Sequence, residues 1–250
     1  MPSSSQRERL RAAQVADQRS RRLRRIIGVS AAVLASVILA VFVIILVQQP
    51  GPAPATAAKV PPNAAVEGDG IVVNPGRAGT GSPVVALYFD YQCRGCLAFE
   101  QSFGGALTLL AETGEIQLEH RTRTFLDKGD TDGLSHRSAL GAACADLSGH
   151  YAAYHEALFA AAEQGPYTDT LLRETVPAKI GLAGTALADF QECFDTRATK
   201  GWVKQVDEAA GRLAIDTIPA LTVNGKVVPL DSLTGSSGDD LADLIADAAD

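Results

Sequence analysis

Residues 84–90 (VVALYFD) run straight toward Cys93-Arg94-Gly95-Cys96, and that junction constrains the fold more than any other part of the chain. The run is apolar without alternation until Asp90, the pattern of a strand buried on both faces. Beyond it Cys96, Phe99, Phe103, Leu107 and Leu110 recur at spacings of three and four, one face of a helix that ends near Gly114. A pair of cysteines separated by two residues therefore stands where a buried strand turns into a helix. Residues 71–74 and 116–125 read as further strands. Helical patterns follow over 134–147, 151–162, 168–180, 186–194 and 199–213, divided by Gly, Pro or Ser-Gly breaks. Strand returns at 220–223 and 226–230, joined by the two-residue hairpin signal Asn224-Gly225, and 239–248 closes as a helix. The order β-β-α-β, a helical block, then α-β-β-α predicts an α/β domain with helices inserted before its last helix and hairpin.

The position of the cysteine pair sets its chemistry. A sulfur at a helix N-terminus meets unpaired backbone N–H groups and the positive end of the helix dipole, which favour a thiolate. Cys93 has that position, and Cys96 lies one turn in, on the apolar face. The pair is expected to open and close as a disulfide with little backbone movement, with Cys93 as the exposed nucleophile and Cys96 as the resolving thiol. Arg94 places a cation beside Cys93. Gly95 removes a side chain from the first turn and offers its N–H to the sulfur. Together the helix end and Arg94 are expected to bring the Cys93 thiol from about 8.5 to about 5.5–6.5. Two other readings of the pair exist. Half of a zinc site needs a second ligand pair, yet Cys144 and Cys193 stand alone with no His within four residues of either. A purely structural disulfide across so short a loop constrains the unfolded chain poorly.

The N-terminal quarter is organised differently. Residues 1–25 hold eight Arg against two acids, whereas the remainder holds 14 basic and 27 acidic residues. Residues 26–47 are 22 positions without a charged side chain, about 33 Å as a helix, enough for a hydrocarbon core of about 30 Å. This reads as a single transmembrane anchor. A cleaved signal peptide is the alternative, with Ala55-Thr56-Ala57 as its small-residue site, but its apolar region is normally shorter. Arg19, Arg21, Arg22, Arg24 and Arg25 abut the run, so the basic tail 1–25 is expected to be cytoplasmic and the domain extracytoplasmic, at the cell membrane. Residues 48–70 hold five Pro among Ala and Gly and read as an extended spacer. The acidic main body argues against nucleic acid as a partner. An apolar content of 46% with 20% charged residues excludes a disordered chain.

Phe89-Asp90-Tyr91-Gln92-Cys93-Arg94-Gly95-Cys96-Leu97-Ala98-Phe99-Glu100 resembles the active-site segment of DsbA-like thiol:disulfide oxidoreductases. Ala142-Ala143-Cys144-Ala145, Tyr154-His155-Glu156-Ala157-Leu158-Phe159 and Phe190-Gln191-Glu192-Cys193-Phe194-Asp195 are similar to the family's inserted helical domain. Ile218-Pro219-Ala220-Leu221-Thr222-Val223-Asn224-Gly225-Lys226 resembles its Thr/Val-Pro, strand, Asn-Gly-Lys segment. The likeness covers about 71–250. It implies a thioredoxin-like fold with a helical insertion over about 127–198, no cofactor, and a cis Pro219 opposite the cysteine pair. Ile218 and Pro219 would then bind substrate, because a free backbone beside a cis proline pairs with an extended segment. An ordinary trans proline at a strand start is the other reading of Pro219. The family's buried acid, a proton relay, carries over to Glu100. Two positions depart from the family: Arg-Gly stands where strong oxidants carry Pro-His, and Ile218 where Thr or Val is usual. Both tune redox potential and substrate choice.

Cys144 and Cys193 either form a structural disulfide, which an exported location favours, or remain two buried free thiols. His120, His136, His150 and His155 lack metal-ligand spacing and are expected at the surface or at helix caps. Trp202 is expected in the core. The functional expectation is a membrane-tethered thiol:disulfide oxidoreductase acting as an oxidase on exported, unfolded or reduced proteins, recycled by a membrane redox partner. The alternatives are a reductase with a dedicated target, and a non-enzymatic binding or chaperone domain. An intact Cys93/Cys96 pair facing Pro219 argues against the last.

Overall fold

Val84–Phe89 forms strand β2, the middle of a five-stranded mixed sheet, and every residue after Val84 in it is buried. The computed structural model describes residues 58–233 and 237–249. The basic tail and the apolar run 26–47 lie outside the described residues. Among the described residues no helix is long and apolar enough to cross a membrane.

The strand order is β1-β3-β2-β4-β5, with β1 Ile71–Val72, β3 Gln117–Thr122, β4 Ala220–Val223 and β5 Lys226–Val228. β2 runs parallel to β3 and antiparallel to β4, and β1 and β5 pair antiparallel at the two edges. Asn224 and Gly225 carry φ of 48° and 80°, the two left-handed positions a tight β4–β5 turn demands. Between β2 and β3 the chain forms α1 (Arg94–Phe99), a π-helical turn (Glu100–Gly104) and α2 (Gly105–Thr113) as one continuous rod. Gly114 ends it at φ 81°, where a Cβ would meet the Arg77 carbonyl oxygen at 2.5 Å.

The insertion is built around α3 (Leu134–Asp146), whose residues from Ser138 to Asp146 are all buried. Around it lie α4 (Tyr151–Ala162), a second π-helical turn (Leu171–Thr175), α5 (Val176–Lys179) and α6 (Gly184–Asp195). Helix α7 (Lys200–Arg212) leads back to β4, and α8 (Gly238–Ala249) covers the sheet. One apolar core runs from the sheet into the insertion, joining Val85, Leu87 and Phe89 to Leu140, Leu158 and Phe190. Trp202 lies in this core, 4% exposed.

The described part of the stretch expected to be spacer is docked rather than free. Lys59 N–H donates to the Ala198 carbonyl at 2.8 Å. Asn63 donates from its backbone and its side chain to the two oxygens of Asp146, at 2.9 and 2.8 Å. Ala64 bridges to Ile71, and Asp69 pairs with Arg121 at 2.6 Å. The Pro-rich composition hides a segment that is hydrogen-bonded to the insertion through Asn63 and to β3 through Asp69.

Candidate functional site

The turn that carries the cysteines is shaped by Asp90. This residue follows β2 with no exposed surface. Its Oδ1 accepts the Gln92 N–H at 2.9 Å and the Ser135 hydroxyl at 2.7 Å, and its carbonyl accepts the Cys93 N–H at 2.9 Å. Gln92 is held in turn: its amide donates to Asp127 Oδ1 at 2.8 Å and to the Ser135 hydroxyl at 2.7 Å. The N-terminus of α3 therefore braces the cysteine turn.

Cys93 is the N-cap of α1, with extended backbone, and its sulfur accepts the Cys96 N–H at 3.1 Å. The same sulfur lies 3.8 Å from the Ile218 carbonyl oxygen. Both thiols are free; Cys93 is half-buried and Cys96 is 2% exposed. The Cys96 thiol donates toward Cys93, and the N–H groups of Cys96 and Gly95 add to it, lowering Cys93 to about 7 against the cost of burial. The shared proton and burial push Cys96 far above the ordinary thiol range. The two sulfurs are thus electrostatically distinct. Arg94 is exposed, and the lowering of Cys93 comes from Cys96 and the two backbone N–H groups instead.

Ile218–Pro219 is a cis peptide bond. Its loop faces the start of α1 closely: a Cβ on Gly95 would meet Pro219 Cδ at 3.4 Å and Cys93 Sγ at 3.8 Å. On the other side Cys93 opens into a groove of about 510 Å³ between α1 and the insertion, lined by Arg94, Leu97, Leu134, Glu163 and Tyr167 among others.

Glu100 is placed against His155, 3.5 Å from its Nε2. The carboxyl group coupled by charge to both sulfurs is Asp90. Burial, opposed by the Gln92 and Ser135 hydrogen bonds, raises Asp90 to about 6, and among the described residues its Oδ2 has no hydrogen-bond partner. In the sequence Asp90 reads only as the end of a strand; the signal available was an acid closing a fully apolar run three residues before Cys93.

Two histidines expected at the surface are in the core. His120 and His155 are 5% and 4% exposed, with ring centroids 4.3 Å apart. Each is held by a tyrosine: His120 Nδ1 lies 3.0 Å from Tyr151 OH, and His155 Nδ1 lies 3.1 Å from Tyr91 OH. Burial pushes the His120 ring well below its ordinary value. His136 sits at the α3 N-terminus, 3.0 Å from Asp127, and His150 occupies the N-cap of α4.

Cys144 on α3 and Cys193 on α6 are joined in a disulfide with Cα atoms 5.9 Å apart. Among the described residues no group of three or more His, Cys, Asp or Glu side chains is arranged as a metal site.

A family model described as thioredoxin matches residues 79–241. A search of curated protein sequences found no match. Among solved structures, the chain is similar to MdbA, a thiol-disulfide oxidoreductase from Actinomyces oris, at 22% identity and a TM-score of 0.62, over 78% of this chain and 96% of that one. It is similar to reduced DsbA from Mycobacterium tuberculosis at 20% identity and a TM-score of 0.53, over 72% of this chain and 99% of that one. BdbD from Bacillus subtilis matches at 17% identity and a TM-score of 0.56, over 75% and 96% of the two chains. At these identities the likeness is one of fold.

Proposed function

This chain belongs to the thioredoxin family, and on that premise we propose that it catalyses dithiol–disulfide exchange in exported proteins, working as an oxidase tethered to the cell membrane by residues 26–47. The observation that carries exchange, in either direction, is the Cys93 sulfur. It is half-buried, held at about 7 by hydrogen bonds from Cys96 and Gly95, and 3.8 Å from the Ile218 carbonyl oxygen. Dithiol–disulfide exchange, without its direction, is also supported by the similar solved structure of MdbA, described as a thiol-disulfide oxidoreductase.

In the oxidised protein a substrate thiolate attacks Cys93. The Cys93–Cys96 bond breaks, and Cys96 leaves with the electron pair and takes up a proton. A second substrate thiolate then attacks the substrate sulfur of the mixed disulfide. Cys93 is released as a thiolate and the substrate keeps a new disulfide, so two electrons pass from substrate to protein. A membrane redox partner removes them. The high proton affinity of Cys96 calls for a nearby proton source, and the Asp90 carboxyl, at about 6, is coupled to both sulfurs. An extended substrate lies along Ile218 and Pro219, pairing with the free backbone there.

The oxidase direction is supported by the domain's own Cys144–Cys193 bond, since disulfides persist in oxidising compartments. The Arg-rich tail beside the apolar run 26–47 supports export of the domain. A second reading, a reductase for a dedicated target, is favoured by one value. Cys93 at about 7 matches thioredoxin, near 7, rather than a strong oxidant, near 3.5. A glutathione redox titration with a reduced, unfolded substrate separates them. The oxidase reading expects a potential above about −260 mV and oxidation of the substrate. A lower potential without oxidation establishes the reductase.

A further inference from the structure

The loop that brings Ile218 to Cys93 is thinly anchored by its own residues. After α7 ends at Arg212, Ala214 turns at φ 54°, and Ile215 is the last fully buried residue before the proline. Asp216 and Thr217 are exposed, and Ile218 and Pro219 are half-buried. Ile215 packs with Ala86, Tyr88, Ala210 and Ala220 on the second face of the sheet. Its carbonyl oxygen accepts a hydrogen bond from Arg123, a side chain that comes from beyond the end of β3.

Arg123 is 7% exposed and holds two acceptors with its guanidinium. Its Nη1 donates to Ile215, and its Nε donates to Asp207 Oδ1 on α7 at 2.7 Å. The same Asp207 oxygen accepts the Thr124 N–H at 3.0 Å. The guanidinium lies over the Phe125 ring, 4.8 Å from its centroid. Its own backbone N–H donates to the Phe89 carbonyl at 2.7 Å, and Phe89 is the last residue of β2 before Asp90 and the cysteine turn. Arg123 therefore ties three parts together: its backbone N–H holds the end of the strand that presents Cys93, and its planar fork joins the helix before the proline loop to the loop itself.

A buried ion pair adds little net stability over an apolar replacement of similar size, so energy alone is a poor reason for this residue. Geometry is a better one. The guanidinium is rigid and forked, and it meets two acceptors in fixed directions; an ammonium in its place is a single point. Ile218 follows Ile215 by three residues, so a shift of the Ile215 carbonyl moves the slot beside Cys93. Misplacement by about 1 Å is enough to cost about a hundredfold in a reaction that depends on alignment.

We infer that Arg123 is a positioning residue for exchange: it fixes the 215–219 loop, and with it the slot where a substrate backbone meets the Cys93 sulfur. The inference rests on the exchange reading above. Its test uses the reduced full-length chain, as wild type, Arg123→Met, Arg123→Lys and Phe125→Leu. Each reacts with two oxidants, a disulfide-bonded peptide and a small aromatic disulfide without a peptide backbone. The Met variant is expected to lose about tenfold or more in the second-order rate constant with the peptide, carried by the half-saturating peptide concentration, while its rate with the small disulfide stays within about twofold and its Cys93 titration is unchanged. The Lys variant keeps the charge, and Phe125→Leu leaves the fork paired. Both are expected to fold and to lose about threefold or more with the peptide alone, so they decide the matter if the Met variant does not fold. Equal losses with both disulfides, or no loss with the peptide, overturn the inference. A wild-type chain that reacts with neither disulfide overturns the exchange reading itself.

Discussion

Cys93 and Cys96 stand three positions apart at one helix N-terminus, whereas Cys144 and Cys193 stand 49 apart on two helices of the insertion. The near pair encloses almost no chain, so closing it constrains the unfolded state little. The far pair closes a loop of about 50 residues, for which the loop-entropy relation gives about 4 kcal/mol. Their surroundings differ as sharply. Cys93 is half-buried beside donors that favour a thiolate. Cys144 and Cys193 are 1% and 2% exposed, and the polar group near Cys144 is the Thr199 hydroxyl at 3.9 Å. On the proposed function, the same side chain serves exchange where backbone N–H groups and a free face meet, and serves the scaffold where apolar helices enclose it.

Variants of each pair break the comparison if it is wrong. Cys93→Ser is expected to abolish exchange, by about a thousandfold or more, and to change stability by less than about 1 kcal/mol. The double variant Cys144→Ala/Cys193→Ala is expected to lose about 4 kcal/mol in denaturant unfolding. Below its unfolding transition its exchange rate should stay within about twofold of wild type. An exchange loss in the folded double variant contradicts the division of labour.

Asp90 sharpens the same contrast from the side of pH. Its carboxyl is held at about 6 in the fold against an ordinary value of 3.8. The folded state therefore keeps the proton more tightly than the unfolded chain. The stability this contributes is full below about pH 4 and is lost as the pH rises through about 6. Above that, ionised Asp90 costs the fold about 3 kcal/mol, at about 1.4 kcal/mol for each tenfold change in proton affinity. Asp90→Asn keeps an acceptor for Gln92 and Ser135 and cannot ionise. It should gain up to about 3 kcal/mol near pH 8 and nothing near pH 3, as read by unfolding at the two pH values. A gain that does not vary with pH contradicts the assignment. The smallest effect is expected at Arg94, whose side chain is exposed. Arg94→Ala should leave the Cys93 titration, followed by thiolate absorbance, within about 0.3 pH of wild type, because exposed charges are screened. A rise of a full pH unit restores Arg94 as a source of thiolate stabilisation.

The parts of this arrangement that depend on local pattern were legible in the sequence. The β2 run, the Asn224-Gly225 turn and helices such as Tyr151–Ala162 follow from periodicity and turn chemistry. The α1–α2 rod was legible too, although its π-helical turn at Glu100–Gly104 was not, because the apolar spacing survives the extra residue. What escaped was polar and long-range. Asp90 is buried because Ser135, 45 residues away, satisfies one of its oxygens. His120 and His155 enter the core because tyrosines elsewhere meet their ring nitrogens. Arg123 gave no local signal at all, since its partners lie on α7 and in the loop beyond it. Residues 58–70 read as spacer because Asn63 finds its partner, Asp146, 83 residues on.

The most direct test of the account is trapping of the mixed disulfide. With Cys96→Ala, the Cys93 thiolate attacks a disulfide-bonded substrate, one substrate sulfur leaves as a thiolate, and the mixed disulfide, with no Cys96 thiol to cleave it, should accumulate as a covalent complex, visible on a non-reducing gel and mapped to Cys93 by mass spectrometry. Cys93→Ala should trap nothing, since Cys96 is 2% exposed and holds its proton tightly. A complex mapped to Cys96 in the Cys93→Ala chain, with none at Cys93 in the Cys96→Ala chain, contradicts the roles assigned to the two sulfurs.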